Sequence, residues 1–335
     1  MAILQQLADS GGETLTFVND AATGLRAIIA VHSTRRGPAF GGIRTLSYRS
    51  QNAAVEDALR LAQAMSYKAA VADLPAGGGK TVVLKHPEMR RAEAFRALGR
   101  AIQRMGGSYF TGLDVGTSRE DLQEVASETK YAASTLDFGK ATARGLMAAI
   151  RAGLKAATGS DELEGRRVAI QGLGAVGGEL ARLLHGKGAA LVVADTNAQL
   201  GLQVAEETGA EVVSPSRVLA TSCDVLSPCA LGSVLTAHVA ENLHCKVVAG
   251  SANNQLATPA AGEALRKAGI VYVPDYVANA GALIKGVTEH VKGREVGFEV
   301  VDRIYDTALL VLTRAARENR PPSQVADDVA RERLR

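Results

Sequence analysis

From Arg166 onward, short apolar runs recur at Val168–Gln171, Leu191–Ala194, Glu211–Val213, Asp224–Leu226, Val247–Ala249 and Ile270–Val273, with helical stretches between most of them. Apolar strands that alternate with helices run parallel and are covered on both faces, so this half of the chain reads as a doubly wound parallel α/β sheet. The first strand ends at Gln171 and leads into Gly172-Leu-Gly174-Ala175-Val176-Gly177, followed by a helical run over Glu179–His185. Such a glycine spacing alone arises by chance in about one chain of this kind in three. Its context is more specific: it follows a strand, opens a helix, and is succeeded by an acid, Asp195, at the end of the next strand. Gly172 makes a tight turn, Gly174 lets backbone approach a pyrophosphate, Gly177 lets helix pack on strand, and the helix N-terminus turns its N–H groups to phosphate. A carboxylate at Asp195 accepts from a ribose 2′-hydroxyl and repels a 2′-phosphate, which points to NAD as the cofactor.

A chain of 335 residues is long for one core, and two domains are expected. The first half begins with a hairpin, Leu15–Val18 and Leu25–Val31 about an Asn19–Gly24 turn. Helices are expected over Asn52–Ala64, Arg90–Arg104 and Arg119–Ala126, a strand over Thr81–Leu84 after a glycine-rich loop, short extended segments at Ser108–Thr111 and near Tyr131, and a long connecting helix over Ala141–Ala157. Val300, Ile304, Ala308 and Leu312 keep helical spacing before Pro321-Pro322. The expected division is 1–136, completed by C-terminal helices from about 305 to 335, and 137–304.

The formal net charge is +3, with basic and acidic residues interspersed, which argues against a nucleic-acid partner. No apolar run approaches the roughly 18 residues of a membrane span, and the N-terminus has no signal-peptide pattern. The three cysteines, Cys223, Cys229 and Cys245, form no CxxC pair and read as reduced thiols of a cytoplasmic protein. His244 and Cys245 are adjacent, and neighbours in a strand point to opposite faces, so no metal site is expected there.

The first half carries Leu74-Pro-Ala-Gly77-Gly78-Gly79-Lys80-Thr81. A P-loop needs glycine where Leu74 stands and a helix where Thr81–Leu84 reads as strand, so a phosphotransferase is excluded. A different chemistry is available if Lys80 meets Lys68, upstream in Ser66-Tyr67-Lys68, and Asp114, downstream in Thr111-Gly112-Leu113-Asp114. Mutual repulsion and desolvation would lower one lysine's pKa, so that one amine holds a carboxylate and the other acts as general base.

The ordered series Gly37-Pro-Ala-Phe40-Gly41-Gly42-Ile-Arg44, Met65-Ser-Tyr-Lys68, Gly77-Gly-Gly-Lys80, Thr111-Gly112-Leu-Asp114-Val-Gly-Thr117, Gln171–Gly177, Pro228-Cys229-Ala230-Leu-Gly232, Gly250-Ser-Ala-Asn253-Asn254-Gln255 and Pro274–Gly281 closely resembles the amino-acid dehydrogenases. The nearest branch holds the leucine, valine and phenylalanine dehydrogenases, relatives of glutamate dehydrogenase. The resemblance implies an N-terminal α/β domain that oligomerises (a homo-oligomer, dimer or higher), a cleft, and a Rossmann domain. It also implies oxidative deamination, reversible by reductive amination, of a hydrophobic L-amino acid, branched-chain or aromatic. Lys68 matches the lysine that binds the substrate carboxylate, Lys80 the lysine that activates water, and Asp114 the acid that handles protons on the amino group. Phe40, Gly41 and Gly112, with Val277 and Ala280, match positions around the substrate, and Thr142 and Asn253 those at the nicotinamide and substrate edge. Gly172, Gly174, Ala175, Val176, Gly177, Asp195, Cys229 and Ala230 fall to the cofactor. Between Tyr131 and Thr142 the chain is shorter than the family pattern and lacks its prolines, and Ala280-Gly281-Ala282 replaces Ala-Gly-Gly. A catalytically silent NAD-binding homologue is the competing class, and the presence of Lys68, Lys80 and Asp114 argues against it.

Overall fold

A computed structural model describes residues 2–133, 137–230 and 232–335. Ser134, Thr135 and Leu136, in the short segment before Thr142, and Leu231, in the motif that ends at Gly232, lie outside the described residues. The chain forms two compact units, Met1–Leu136 with Ala330–Arg335, and Asp137–Val329. Among the described residues no helix is long and apolar enough to cross a membrane.

Unit 1 runs α1 (Ile3–Ser10), β1 (Thr14–Asp20), β2 (Leu25–Ser33), β3 (Ala39–Leu46), α2 (Gln51–Val71), β4 (Gly77–Leu84), α3 (Arg91–Arg104), β5 (Tyr109–Leu113) and α4 (Arg119–Ala126). Its sheet has the order β1-β2-β4-β3-β5, antiparallel where β2 meets β1 and β4, and parallel where β3 meets β4 and β5. The expected hairpin and helices are present. Two glycine-rich stretches differ from expectation: Gly77–Lys80 is the first half of β4, not a loop, and Ala39–Leu46 is a strand that its composition did not announce. The reason is close packing. A Cβ on Gly78 would stand 2.0 Å from the Ser66 backbone nitrogen, so only glycine lets α2 lie against the sheet there.

Alternation along these strands decides what faces α2. Phe40 pairs with Gly78 and with Phe110, Gly42 with Gly112, and Arg44 with Val82. Val82 packs in one cluster with Val55, Ala58, Leu59 and Ala62 of α2. Phe40, Gly42 and Arg44 therefore share the α2 face of the sheet with Gly78, Lys80, Phe110 and Gly112.

Unit 2 runs α5 (Phe138–Thr158), β6 (Arg167–Gln171), α6 (Gly177–His185), β7 (Ala190–Ala194), α7 (Ala198–Thr208), β8 (Glu211–Val212), β9 (Val225–Pro228), α8 (Ala237–Glu241), β10 (Val247–Val248), α9 (Pro259–Lys267), β11 (Val271–Tyr272), α10 (Asp275–Ala278), α11 (Gly281–Lys292), α12 (Ile304–Glu318) and α13 (Pro322–Leu334). Its six strands pair in parallel in the order β11-β10-β9-β6-β7-β8. The order winds outward both ways from β6 and β9, the doubly wound Rossmann arrangement, whose ligand position is the carboxyl end of the strands where the winding reverses. Gln171 and Pro228 are paired at that end, so the segments following them leave the sheet side by side.

The C-terminal helices depart from the expected return to the first unit. α12 packs on α5 within unit 2, burying Ile304, Ala308, Val311, Leu312 and Ala315, and only Ala330–Arg335 group with unit 1. An apolar stripe of this width needs a continuous partner, and the 21-residue α5, with its own buried alanine-rich face, supplies one. In unit 1, Arg333 donates to the carbonyls of Ala70 and Val71 at 3.1 and 2.6 Å, closing the C-terminal end of α2.

Candidate active site

In unit 1, Lys80 Nζ lies 2.8 Å from Asp114 Oδ2, and Lys80 is only 5% exposed. β4 supplies the lysine and the turn after β5 supplies the acid. That turn is fixed on several sides. The Thr45 amide donates to the Val115 carbonyl at 2.9 Å, the Thr117 hydroxyl donates to the Ile43 carbonyl at 2.7 Å, and Arg91 donates to the Gly116 carbonyl at 2.7 Å. Asp114 also accepts from Arg44 Nε at 2.8 Å, and Arg44 reaches Asp57 at 3.2 Å. Asp57 accepts from Tyr48 at 2.8 Å and pairs with Arg60 at 2.7 Å.

Burial pulls the Lys80 amine below its ordinary pKa; the Asp114 carboxylate opposes that pull and the Arg44 charge assists it. For Asp114 burial pushes the other way, upward, but the charges of Lys80 and Arg44 outweigh it and hold the carboxyl below its ordinary range. The site thus presents an amine that gives up its proton more readily than a free lysine, beside a carboxylate that stays ionised. Desolvation and repulsion by Lys68 are the expected causes; burial is the largest cause in the structure, and the Arg44 charge adds to it. Lys68 sits half-buried in the last turn of α2, two residues beyond the Ser66 backbone that meets β4 at Gly78.

Phe40 stacks on Phe110, centroids 4.9 Å apart and planes 10° apart, and Phe110 meets Tyr131 edge-on at 5.1 Å. Phe40 and Gly112 therefore share the lysine's face of the sheet, whereas Gly41, one residue on from Phe40, takes the opposite one. His32 Nδ1 and the Ser66 hydroxyl are 2.9 Å apart. Burial lowers the imidazole pKa, so this contact holds the end of α2 without adding a charge.

In unit 2 the glycine motif is a turn of backbone. Gly172 has φ 92°, and a Cβ on Gly177 would stand 1.9 Å from the Gly172 carbonyl oxygen. Gly174 is exposed at the tip, where a Cβ would meet nothing within 4 Å. No side chain caps α6, whose cap position is Val176, and the Gly178 amide donates to the Gly174 carbonyl at 3.0 Å. Other expected cofactor residues converge on the same turn. A Cβ on Gly172 would touch Ala230 at 2.7 Å, one on Gly177 would touch Cys229 at 3.3 Å, and one on Gly139, at the start of α5, would touch the Ala175 carbonyl at 2.9 Å. Thr142 lies one turn farther along α5, where Gly281 packs against Ala141. Asn253 is exposed, and its Oδ1 accepts from Asn279 Nδ2 at 2.9 Å. Val277 and Ala280 are each 1% exposed, within the interior of the unit.

Asp195 stands at the end of β7 as expected, with a second task. Its Oδ2 accepts from the Leu173 amide at 2.7 Å and its Oδ1 from the Asn197 amide at 2.8 Å, tying the glycine turn to the next strand. Each oxygen keeps a further lone pair for a ligand hydroxyl. Arg44, Tyr48, Asp57, Phe110 and Asn279 were not singled out from the sequence. Arg44 lies inside a quoted motif, and reading β3 as a strand would have placed it in register with Phe40. Asp57 and Tyr48 are joined to it only by the packing of α2.

Residues 14–131 match the family profile described as Glu/Leu/Phe/Val dehydrogenase, dimerisation domain. Residues 134–200 and 193–303 match the profile Glutamate/Leucine/Phenylalanine/Valine dehydrogenase. The leucine dehydrogenase of Thermoactinomyces intermedius is 44% identical, covering 100% of this chain and 94% of its own. The phenylalanine dehydrogenase of the same organism is 38% identical, covering 99% and 94%. The crystal structure of L-tryptophan dehydrogenase from Nostoc punctiforme superimposes with a TM-score of 0.86 at 36% identity, covering 99% of this chain and 98% of that one. The chain belongs to the glutamate/leucine/phenylalanine/valine dehydrogenase family. It is an amino-acid dehydrogenase, an oxidoreductase.

Proposed function

We propose that this enzyme is NAD-dependent and converts a hydrophobic L-amino acid, branched-chain or aromatic, with water into the 2-oxo acid, ammonium, NADH and a proton, and that it also runs in reverse. The observation that carries the reading is the buried Lys80 amine, lowered in pKa and 2.8 Å from an ionised Asp114. Removing hydride from Cα leaves an iminium, which becomes oxo acid only when water adds and ammonium leaves. Lys80 takes the proton from that water. Asp114 accepts and returns protons at the substrate nitrogen, and the Lys68 ammonium binds the carboxylate. Phe40 and Gly112, on the lysine's face of the sheet, line the place of the substrate side chain. Covering a substrate on this apolar face excludes bulk water and strengthens these charge contacts.

The glycine turn fits a dinucleotide on its own geometry: the positive φ of Gly172, the unobstructed Gly174, an uncapped helix start and a carboxylate one strand away. Gly172, Gly174, Ala175, Val176 and Gly177 would hold the pyrophosphate, Asp195 the adenosine ribose, and Cys229, Ala230, Thr142 and Asn253 the nicotinamide end. When bound, the oxidised nicotinamide supplies the hydride acceptor. The named relatives act on leucine, phenylalanine and tryptophan, and a methylene in an apolar pocket discriminates by only about 1–3 kcal/mol, so a broad range of hydrophobic substrates is expected. The match of residues 14–131 to a dimerisation domain supports a homo-oligomer, and we place it in the cytoplasm.

The test is NADH formation from a panel of hydrophobic, acidic and basic L-amino acids, each run with NAD⁺ and NADP⁺. Turnover of hydrophobic members with NAD⁺ preferred is expected. Turnover confined to acidic substrates, or equal use of both cofactors, would overturn the substrate class or the role of Asp195.

A further inference from the structure

Lys80 and Arg44 approach the same oxygen of Asp114. Lys80 Nζ and Arg44 Nε each lie 2.8 Å from Oδ2, so both cations grip one corner of the carboxylate. Arg44 is itself held from behind, with its terminal nitrogen 3.2 Å from Asp57 Oδ2. Asp57 is anchored by Arg60 at 2.7 Å and Tyr48 at 2.8 Å. Charges alternate along this chain, from the buried Lys80 through Asp114, Arg44 and Asp57 to the exposed Arg60. β3 fixes the backbone of Arg44 beside β4, opposite Val82.

We propose that Arg44 is a positioning residue of the deamination centre. It sets the orientation of Asp114 and, through its charge, the protonation balance of Lys80 and Asp114, with Asp57 as its counterweight. This rests on the reading of Lys80 and Asp114 as the acid–base pair. A planar guanidinium suits the task because it bridges two acids in fixed directions, which a single ammonium does not.

The charged and titratable groups joined to the pair are Arg44 from β3, Tyr48 from the turn after it, and Asp57 and Arg60 from α2, with Tyr109 of β5 on the opposite face of the sheet. Tyr109 is buried and its phenol is pushed up to about 12, so it stays neutral. The sign of Arg44's influence is the same on both partners. Its positive charge disfavours a proton on Lys80 and favours the ionised Asp114. Asp57 acts on Lys80 in the opposite sense.

The test uses the full-length protein and three variants, Arg44→Gln, Arg44→Lys and Asp57→Asn. Two measurements are made: the pH dependence of kcat and KM, and the ¹³C carboxyl titration of Asp114 without substrate, assigned with Asp114→Asn. In Arg44→Gln, kcat near neutrality is expected to fall about 10- to 100-fold with KM changed less than about threefold, and the ascending limb, set by deprotonation of Lys80, to move about one pH unit upward. The Asp114 titration should move upward with it. Asp57→Asn should move that ascending limb to lower pH. Arg44→Lys should keep the wild-type pH profile while recovering only part of kcat, because it retains charge but not the bridge. Parallel profiles with a uniform loss of kcat, or shifts of the same sign in Arg44→Gln and Asp57→Asn, would overturn the proposal. If Arg44→Gln does not fold, the other two variants still decide it. An Asp114 titration unmoved in Arg44→Gln sinks this inference alone, whereas a wild-type protein inactive on every amino acid sinks the functional reading.

Discussion

In unit 1 the groups we propose to carry chemistry are ionised side chains on a sheet face covered by α2, whereas in unit 2 they are mostly glycines, small side chains and backbone N–H groups at strand ends. The difference follows from what each has to hold. Moving a proton near neutrality requires burying charge, which is costly unless the charges compensate one another, and the alternation of Lys80, Asp114, Arg44 and Asp57 is that compensation. Holding a phosphate requires close approach of backbone, and any Cβ at the wrong place prevents it. Unit 1 should therefore be broken by changes of charge and should respond to pH. Unit 2 should be broken by a methyl group and should not.

The largest effect is expected at Lys80. Lys80→Ala removes the proposed base while leaving the glycine turn untouched, so turnover should fall by about 10³-fold or more with NADH affinity unchanged in a fluorescence titration. A variant retaining activity within about tenfold of wild type would show that the base lies elsewhere.

Two glycines in unit 2 give the next effect and separate shape from affinity. In Gly177→Ala the new Cβ would stand 1.9 Å from the Gly172 carbonyl, so both NADH affinity and stability should drop, the latter by about 1–3 kcal/mol. In Gly174→Ala the Cβ has nothing within 4 Å, so thermal stability should stay within about 0.5 kcal/mol while NADH binding weakens. Equal losses of affinity and stability at both positions would mean that the turn is a structural element only.

The same contrast explains what the sequence disclosed. The β-α rhythm of unit 2 was legible because each strand there is a short apolar run bounded by turn residues, and α4 was read with the bounds it has, Arg119–Ala126. In unit 1 the glycines misled. Gly77–Lys80 and Ala39–Leu46 carry glycine for the approach of neighbouring backbone, and composition cannot distinguish that from a turn. Lys80 and Asp114 were legible as a pair through their motifs, and the structure brings them together. Arg44 and Asp57 were not, because their meeting depends on how α2 lies across the sheet. Nor was the second duty of Asp195, whose bond to the Leu173 amide spans two β-α segments. The placement of α12 was missed because an apolar stripe tells that a helix is covered but not by what.

A last variant extends the charge argument to a part of unit 1 outside the proton-transfer pair. Arg91 grips both oxygens of Asp121, at 2.7 and 2.5 Å, and Asp121 also accepts from the Ser118 amide at 2.7 Å as part of a capping box. Burial pushes the Asp121 carboxyl upward, but Arg91 and the Ser118 amide outweigh it and leave the pKa below the ordinary value. A carboxyl depressed in the folded state contributes stability above its unfolded pKa, about 3.9, and loses that contribution as pH falls through the folded value below it. Asp121→Asn keeps an oxygen for the cap and removes the ion pair, which is partly screened because Arg91 is partly exposed. Urea denaturation at pH 7 should show a loss of about 1 kcal/mol, shrinking toward zero below about pH 3. The stability gap of Gly177→Ala should instead persist at both pH values, since a steric clash carries no proton. A gap for Asp121→Asn that did not close on acidification would mean that packing, not charge, holds α3 to α4, and unit 1 would then differ from unit 2 only at its reactive centre.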